Sequence, residues 1–485
     1  MRNFVLSVFV LVVATAAICS PAIAATASAE TSVAKKRVGG KVKRAWPRAG
    51  KPPAKPLARW LARQVGPVKN CGRIRKSGPK AKRIEANRQR RRCLRWHRKI
   101  GIRPTSAVLS KAGDPGAPAN AAAAPTATIS ATPTAAADPI LLARSYQIPK
   151  DDPDYERLLN WSFTYDSAIT ASAFIALGEK TQATQVLDQL AALQFNTGAI
   201  DIAFNVATGA GAGQYRAGNT AWIGLAAANY NLKFLTNRYL TTARRAADFL
   251  ISLQGPNGLV RGGPGLPWSS TLHNLVAYSF FQRMATADLP NTVKYTVAAN
   301  KIAAAIDSSL LVNDSSGLHF IQGLNDTVEP VDVQALGAMY LWNRGRFLSA
   351  ALVVNRIADE FGVSKAKIQL STNPSKYNNT WSSGGNFSGF KPYNSDKVPA
   401  MIWYEGTSQV RAATAVTGGS TTSLDAEAKK WREVTAKDAG SAPLQSNETI
   451  TETKKDFDVE YHVWPATVAA GWAILSTNEP RFLFP

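Results

Sequence analysis

The sequence has few cysteines, and beyond its first 25 residues it has no long apolar run. Only three of its 485 residues are cysteines. Without a later apolar stretch of about 20 residues, the rest of the chain cannot form a helix that spans a bilayer. No His, Cys, Asp and Glu spacing typical of a metal site occurs, and we expect neither a metal nor a cofactor. The Gly-rich stretch 209–218 lacks the Gly-Lys-Ser/Thr ending of a phosphate-binding loop.

Acidic residues are almost absent from one N-terminal segment. Residues 35–103 hold 26 of the 57 Lys and Arg residues and a single acid, Glu85. Residues 104–485 hold 30 basic and 31 acidic residues, so the net charge of +24 belongs to the N-terminal segment. Lys and Arg attract any polyanion through counterion release, so charge alone does not choose among wall polymer, acidic polysaccharide, lipid headgroups and nucleic acid.

The N-terminus has the pattern of a secretory signal peptide. Arg2 precedes the apolar run 4–18, and Ala22-Ile23-Ala24 is a cleavage site of the Ala-x-Ala type. We expect a signal peptide of residues 1–24 and a secreted mature protein without a membrane span. Export favours an anionic cell-wall or matrix polymer as the partner of the basic segment, and we expect no specific nucleic acid.

Composition divides the mature chain into three parts. Residues 25–105 form a basic segment that is poor in apolar residues, which predicts a largely disordered region. Cys71 and Cys93 lie in it, and an even pair in an exported protein predicts a disulfide, with two unpaired thiols as the alternative. Residues 106–139 are rich in Ala, Pro and Thr and predict a linker. Residues 140–485 form the predicted globular domain.

Apolar residues recur at helical spacing throughout this domain, so we expect an all-α fold. Helical hairpins are predicted at 166–194, 219–254, 273–311, 332–361 and 405–435. A last helix at 465–475 is expected to pair with residues 155–161 and to close a ring of six hairpins. The helix starts recur roughly 50 to 70 residues apart, which is typical of helical-hairpin arrays.

Short phrases at the helix starts resemble the six-hairpin, (α/α)6-barrel glycosidase-like proteins. They are Tyr-Asp-Ser-Ala-Ile-Thr at 165–170, Ala-Trp-Ile-Gly-Leu-Ala at 221–226, Leu-His-Asn-Leu at 272–275, Val-Asp-Val-Gln-Ala-Leu-Gly at 331–337, Trp-Tyr-Glu-Gly-Thr at 403–407 and Val-Trp-Pro-Ala at 463–466. The resemblance covers the chain from residue 141 to its end and implies an (α/α)6 toroid. This fold hosts hydrolases, phosphorylases, lyases and non-enzymes.

Polar residues at the starts of the inner helices of such a barrel lie around one mouth. The candidate catalytic residues are Asp166, Asp332 and Glu405. The candidate substrate-binding residues are Tyr165, Arg216, Asn219, Trp268, His273, Asn274, Trp403, Glu460, His462 and Trp464. Glycoside hydrolysis uses one protonated and one ionised carboxyl group. We favour Asp166 and Glu405, because each follows an aromatic residue and precedes a strongly helical run. The alternative, helix capping, is stronger for Asp332.

Histidines at the helix starts allow a second reaction. Together with Tyr165 or Tyr461, His273 or His462 can abstract a proton beside a uronate carboxylate, as polysaccharide lyases do, and Arg216 would then neutralise that carboxylate. The alternative for each histidine is a structural hydrogen bond at a helix end.

One departure from the resembled family favours a third interpretation. An acidic residue often precedes the His-Asn pair in that family, whereas Leu272 holds this position here. A non-catalytic glycan- or wall-binding protein, tethered by its basic segment, is therefore an alternative. Our first expectation is a secreted carbohydrate-active enzyme that hydrolyses a poly- or oligosaccharide. Trp268 is expected to be a sugar platform and Trp222 a core residue.

Overall fold

The computed structural model describes most of the chain from residue 140 onward, together with one earlier segment. The described residues are 54–66, 140–368, 383–394, 401–436, 440–449, 453–454, 457–458 and 461–484. Cys71, Cys93 and the predicted linker 106–139 therefore lie outside the described residues. Among the residues described, no helix combines the length and the apolar composition needed to cross a membrane.

The helices form two concentric layers. The inner layer consists of α3 (Thr164–Leu177), α5 (Ala217–Phe234), α7 (Thr271–Ala287), α9 (Val331–Asn343), α11 (Tyr404–Val416) and α13 (Thr467–Asn478). The outer layer consists of α1 (Ala54–Gln64), α4 (Lys180–Leu193), α6 (Leu240–Leu253), α8 (Thr292–Ser309), α10 (Phe347–Phe361) and α12 (Thr422–Val434). A single helical turn, α2 (Tyr155–Leu158), precedes α3.

The inner helices close into a ring. Each packs against its two inner neighbours, and the last, α13, packs against the first, α3. Gly471 of α13 makes this closure tight, because a methyl group there would lie 2.5 Å from Ile169 Cγ2 of α3. The all-α toroid of six hairpins that the sequence predicts is thus confirmed.

Differences in apolar pattern assign the helices to their layers. Inner helices are apolar on all sides; α3, for example, buries Ala168, Ile169, Phe174 and Ile175 at once. Outer helices have one apolar face, and α6 buries Ala243, Ala247 and Leu250 at helical spacing while Arg245 is exposed. A helix that is apolar all round must be surrounded by protein, whereas a one-sided helix covers a core and faces water.

The partner of the last inner helix differs from the sequence prediction. Residues 155–161 hold only the short turn α2, and the helix that packs against both α13 and α3 is α1, from within the basic segment. Leu57, Trp60 and Leu61 of α1 are fully buried. The prediction was wrong because the abundant charges of residues 25–105 mask these few apolar residues.

Hydrogen bonds fasten α1 to the start of the main domain. Trp60 Nε1 donates to Gln147 Oε1 at 2.8 Å, and Gly66 N donates to Leu142 O at 2.8 Å. The buried guanidinium of Arg144 donates through Nε to Gly66 O at 3.1 Å, just beyond the helix C-terminus, where the helix dipole favours a cation. Helix α1 therefore belongs to the outer layer of the barrel, although its sequence lies within the basic segment.

Short antiparallel strand pairs lie where outer helices lead into inner ones. They are β1 (Trp161–Phe163) with β2 (Ala203–Asn205), β3 (Leu311–Asp314) with β4 (Gly317–Phe320), β5 (Gly362–Ile368) with β6 (Ser383–Phe390), and β7 (Thr453–Lys454) with β8 (Phe457–Asp458). In the third pair, for example, residues 362 and 390 are paired at one end and residues 368 and 383 at the other. The strands shape the end of the barrel at which the inner helices begin.

The C-terminal tail closes the opposite end. Phe482, Leu483 and Phe484 are buried, and the Phe484 ring lies 6.5 Å from the ring of Tyr340, in the second half of α9. Ser279 Oγ donates to Leu483 O. The cavity on the barrel axis therefore opens at the end where the inner helices start.

Candidate active site

A cavity on the barrel axis is lined by residues from all six inner helices or the residues just before them. It encloses about 920 Å³, including its open mouth. Its lining residues are Tyr146, Phe163, Tyr165, Asp166, Ile202, Gly218, Asn219, Trp222, Leu272, His273, Asp332, Trp403, Glu405, Gln445, Tyr461 and Val468. The three candidate catalytic acids thus share one cavity, although 239 residues of sequence separate the first from the last.

Glu405 lies in the first turn of α11 and is 6% exposed. Its Oε1 accepts a hydrogen bond from Tyr165 Oη at 2.6 Å and another from Gln409 Nε2 at 3.2 Å. Burial raises the pKa of Glu405 well above its usual value; the charges of Asp166 and Asp332 raise it further, while the two hydrogen bonds lower it. Burial therefore favours the neutral carboxylic acid form of Glu405.

The two aspartates differ in exposure and in pKa. Burial raises the pKa of Asp166 to about 7, against the lowering effect of a hydrogen bond with Ser145. Burial raises the pKa of Asp332 to about 6, against the effect of the Val333 N–H, which donates to its Oδ1 at 2.8 Å. Asp332 is the more exposed of the two. At pH 7 a pKa of about 6 favours the ionised form of Asp332, whereas burial favours the neutral form of Glu405.

Backbone geometry explains part of this arrangement. Both Asp332 and Glu405 lie in the first turn of an inner helix, where free N–H groups and the helix dipole favour negative charge. The N-cap of this helix is Pro330, and no side-chain capping bond is formed there, so Asp332 is not the cap that the alternative interpretation expected. Its Oδ1 accepts from the N–H of the next residue, Val333, and Asp332 lines the cavity.

His273 lies on the cavity wall as a neutral imidazole. Burial and the neighbouring charge of Arg216 lower its pKa to about 4. The ring packs on Gly218, where a methyl group would lie 2.3 Å from His273 Cδ2. Its Nδ1 is buried and has no hydrogen-bond partner in the part of the chain that the structure describes.

Trp268 contacts His273 rather than the cavity. The two ring centroids are 5.5 Å apart, and the indole rests on Gly262, where a methyl group would lie 2.5 Å from the ring. Trp268 is half-buried and does not line the cavity. It supports the wall that His273 forms.

Aromatic residues that do line the cavity are Trp222, Trp403 and Tyr461. Trp403 is half-buried, and its ring lies 6.0 Å from that of Tyr461, edge to face. Trp222 is 4% exposed and packs 5.2 Å from the Tyr165 ring, so it is a core residue with one edge on the cavity. Asn219 completes the polar lining from α5.

Two other candidates at the helix starts are turned toward the backbone. Asn274 accepts a hydrogen bond from Val260 N at 2.8 Å and donates to Val260 O at 3.1 Å, and Gln334 makes the same pair of bonds to Phe320 one hairpin later. Arg216 donates to the carbonyl oxygen of Tyr215 at 3.2 Å. Neither Asn274 nor Arg216 lines the cavity. Because Gln334 repeats the bonding pattern of Asn274, we assign Asn274 a structural role, in which its amide holds the preceding loop against the helix.

His462 and Trp464 form a buried stack behind the cavity. Their rings lie 3.5 Å apart and are parallel to within 7°. Trp464 is 2% exposed, and its Nε1 donates to Asp152 Oδ2 at 2.9 Å. These two residues are part of the core, and Glu460 lies outside the described residues.

Among the polar residues of the lining, sequence reasoning missed Tyr146 and Gln445. Gln445 Nε2 donates to Tyr146 Oη at 3.3 Å, and Gln445 Oε1 accepts from His462 N at 2.9 Å. Both lie in irregular segments, 140–149 and 440–449, which have no periodic pattern. Only the closed ring brings these segments to the cavity.

Comparisons with known proteins were made on this basis. No protein-family model matches the sequence, and no curated protein matches it. A wild-type glycosidase structure is 10% identical over 69% of this chain and 91% of its own, with a TM-score of 0.47. A family 76 glycoside hydrolase (mannosidase) from Bacteroides thetaiotaomicron is 11% identical over 71% and 93%, with a TM-score of 0.48. A bacterial glucoamylase complexed with acarbose is 13% identical over 67% and 50%, with a TM-score of 0.44.

The chain resembles six-hairpin glycosidases in fold. The closed ring of inner helices is the observation that establishes this fold, and the three structures are similar to the chain in fold alone. The described lining includes three carboxyl groups and no Lys or Arg. In the described part of the chain, no cluster of three or more His, Cys, Asp or Glu residues is suited to hold a metal ion.

Proposed function

We propose that the protein is a secreted glycoside hydrolase that cleaves a poly- or oligosaccharide in the axial cavity by carboxylate acid/base chemistry. The observation that carries the proposal is that Glu405 and Asp332 line one cavity, where burial raises the pKa of Glu405 well above its usual value and favours its protonated form, while Asp332, with a pKa of about 6, favours its ionised form. Hydrolysis of a glycosidic bond needs this combination, because one carboxyl group protonates the leaving oxygen while the other activates water or attacks the sugar.

Glu405 is proposed as the general acid. Burial and two neighbouring carboxylates oppose its ionisation and raise its pKa well above the usual value. Asp332 is proposed as its ionised partner, since it has the lower pKa of the two aspartates and is more exposed to the cavity. Asp166, which the sequence favoured, remains the alternative partner.

The proposed substrate is a neutral glycan. Trp403 and Tyr461 offer apolar ring faces, which stack on the apolar faces of sugars, and Asn219 offers an amide to the hydroxyl groups. A uronate would place its carboxylate beside three acids in a described lining that holds no Lys or Arg. These observations support hydrolysis of a neutral glycan over elimination from an acidic one.

The test is product analysis on a broad panel of polysaccharides. We expect new reducing ends with the wild-type protein and a loss of about 10²- to 10⁴-fold in Glu405→Gln and Asp332→Asn. Asp166→Asn decides whether Asp166 has a comparable role. Asp359→Asn is the matched control, because Asp359 is an exposed acid on α10.

Other outcomes would overturn the assignment. Products that absorb in the ultraviolet, from an unsaturated sugar, would indicate a lyase. His273 would then be the candidate for the residue that abstracts the proton. Retention on one glycan gel without any product would indicate a binding protein, in which Leu272 replaces an acid that catalysis needs.

Secretion is proposed from the N-terminal sequence. Residues 1–24 lie outside the described residues, so the support is the Ala-x-Ala pattern alone. N-terminal sequencing of protein recovered from the culture medium should begin at Ala25. A mature protein that still begins at Met1 would contradict the proposal.

A further inference from the structure

A chain of hydrogen bonds leads from the core to Glu405. Trp472 Nε1 donates to Tyr165 Oη at 2.8 Å, and Tyr165 Oη lies 2.6 Å from Glu405 Oε1. An indole N–H can only donate, so Tyr165 accepts from Trp472. The single hydroxyl proton of Tyr165 is then directed at Glu405. Gln409 Nε2, at 3.2 Å, is the second donor to the same carboxyl oxygen.

Packing holds this chain in place. The Tyr165 ring lies 5.2 Å from Trp222, and the Trp222 ring lies 6.1 Å from Trp472 at nearly a right angle. Trp222 and Trp472 are 4% and 2% exposed. A hydroxyl group clamped between two buried indoles cannot turn away from Glu405 without breaking the bond to Trp472.

We propose that Tyr165 is a positioning residue that fixes which oxygen of Glu405 carries the acidic proton. Because Oε1 accepts two hydrogen bonds, the proton resides on Oε2. This inference rests on the proposed function and assigns Tyr165 a role other than the substrate binding that the sequence suggested. In the reaction the Oε2–H bond breaks, the proton bonds to the leaving glycosidic oxygen, and the electron pair stays on the Glu405 carboxylate. Tyr165 and Gln409 then stabilise that carboxylate.

The charged and titratable groups around Glu405 set the sign of the expected effect. Asp166 on α3 and Asp332 on α9 disfavour its ionisation, and the Tyr461 hydroxyl faces it from the segment before α13. The pKa of Tyr165 is raised well above its usual value by burial and by Glu405, so Tyr165 keeps its proton. Hydrogen bonds to the ionised form lower a carboxyl pKa. Removing the Tyr165 hydroxyl therefore raises the pKa of Glu405.

The test is Tyr165→Phe, with kcat and KM measured against pH. If Glu405 acts as the acid, activity falls as pH rises through its pKa, so the alkaline limb of the profile should move to higher pH. We expect kcat to fall about 10- to 100-fold through lost orientation, with KM nearly unchanged. Gln409→Leu should move the same limb in the same direction.

Tyr230→Phe is the matched control. Tyr230 is a buried tyrosine of α5 whose hydroxyl lies 2.6 Å from Thr184 Oγ1, outside the cavity lining. This variant should leave the profile unchanged. If Tyr165 were only structural, Tyr165→Phe would lower stability and activity with no movement of the alkaline limb, and that result would overturn the proposal.

A second readout separates this proposal from the proposed function. Carbon-13 NMR of Glu-labelled protein, assigned with Glu405→Gln, reports the pKa of the Glu405 carboxyl without any substrate. An upward shift in Tyr165→Phe supports the positioning role even if no polysaccharide is cleaved, in which case only the hydrolase assignment fails. An unchanged Glu405 titration, with hydrolysis intact in the wild type, refutes the positioning role alone.

Discussion

Individual acids in this cavity are kept in unusual protonation states by burial. Asp166 and Glu405 are 5% and 6% exposed, and no described cation lines the cavity to stabilise their ionised forms. A core without a functional site would have apolar or amide side chains at such positions, because burying an unpaired carboxylate costs folding free energy. Perturbed carboxyl groups in a cleft are typical of functional sites, where stability is given up for reactivity.

The destabilisation by Asp166 predicts a specific pH dependence of stability. The pKa of Asp166 is about 7 in the folded protein and 3.8 in the unfolded chain. The folded protein therefore binds the proton of Asp166 more tightly than the unfolded chain does. The contribution of protonated Asp166 to the stability of the fold is fully present below its unfolded-state pKa. It is lost as the pH rises through about 7. This pKa shift corresponds to a change of no more than about 4 kcal/mol in the free energy of unfolding.

Asp166→Asn should therefore be more stable than the wild type at pH 8 and similar to it at pH 4. The amide has the shape of the protonated acid and cannot ionise. Urea unfolding at the two pH values measures the difference, and the exposed variant Asp359→Asn should show none. Equal stabilities of wild type and Asp166→Asn at pH 8 would mean that the Asp166 carboxylate is well solvated in the folded state.

Sequence patterns predicted elements of the barrel unequally well. The five hairpins from α3 to α12 were evident, because each pairs a helix that is apolar all round with a one-sided helix. The acids at the helix starts followed from the fold resemblance. Tyr146 and Gln445 could not be predicted, because irregular segments carry no periodicity. The hydrogen bond from Tyr165 to Glu405 across the ring could not be predicted either.

Helix α1 was missed for a different physical reason. Its apolar face consists chiefly of Leu57, Trp60 and Leu61, in a segment whose charge suggests disorder. Helices this short gain most of their stability from packing rather than from propensity. The ring formed by α13 and α3 supplies that packing, which no local pattern of α1 reveals.

The position of α1 predicts that the barrel depends on it. Trp60 is fully buried and hydrogen-bonded to Gln147, so Trp60→Ala should lower the free energy of unfolding by about 3–5 kcal/mol. Arg59→Ala, on the exposed face of the same helix, should change it by less than about 0.5 kcal/mol. Urea unfolding followed by tryptophan fluorescence measures both. A negligible effect of Trp60→Ala would show that α1 is dispensable.

At the scale of the whole molecule, charge and chemistry occupy separate parts of the chain. Residues 104–485 are nearly neutral, and most of the excess charge lies in residues 35–103, on both sides of α1. Gly66 and Leu142 are joined by a backbone hydrogen bond. A short linker in place of residues 67–139 is therefore long enough to connect the two ends and keeps α1 in the chain.

This topology sharpens the test of the proposed anionic partner. A chain that starts at residue 139 would lose α1 together with the basic residues, so a loss of binding would be ambiguous. A variant that starts at Ala49 and carries a linker of about eight Gly and Ser residues in place of 67–139 keeps the barrel and removes most of the charge.

The mature protein should bind a polygalacturonate gel strongly at low salt and should dissociate from it as the salt concentration rises, because counterion release drives the contact. The variant should bind the polygalacturonate gel weakly at any salt concentration. Neither protein should bind a neutral dextran gel. Equal retention of the two would place the anionic contact on the barrel itself and refute a role for the basic segment.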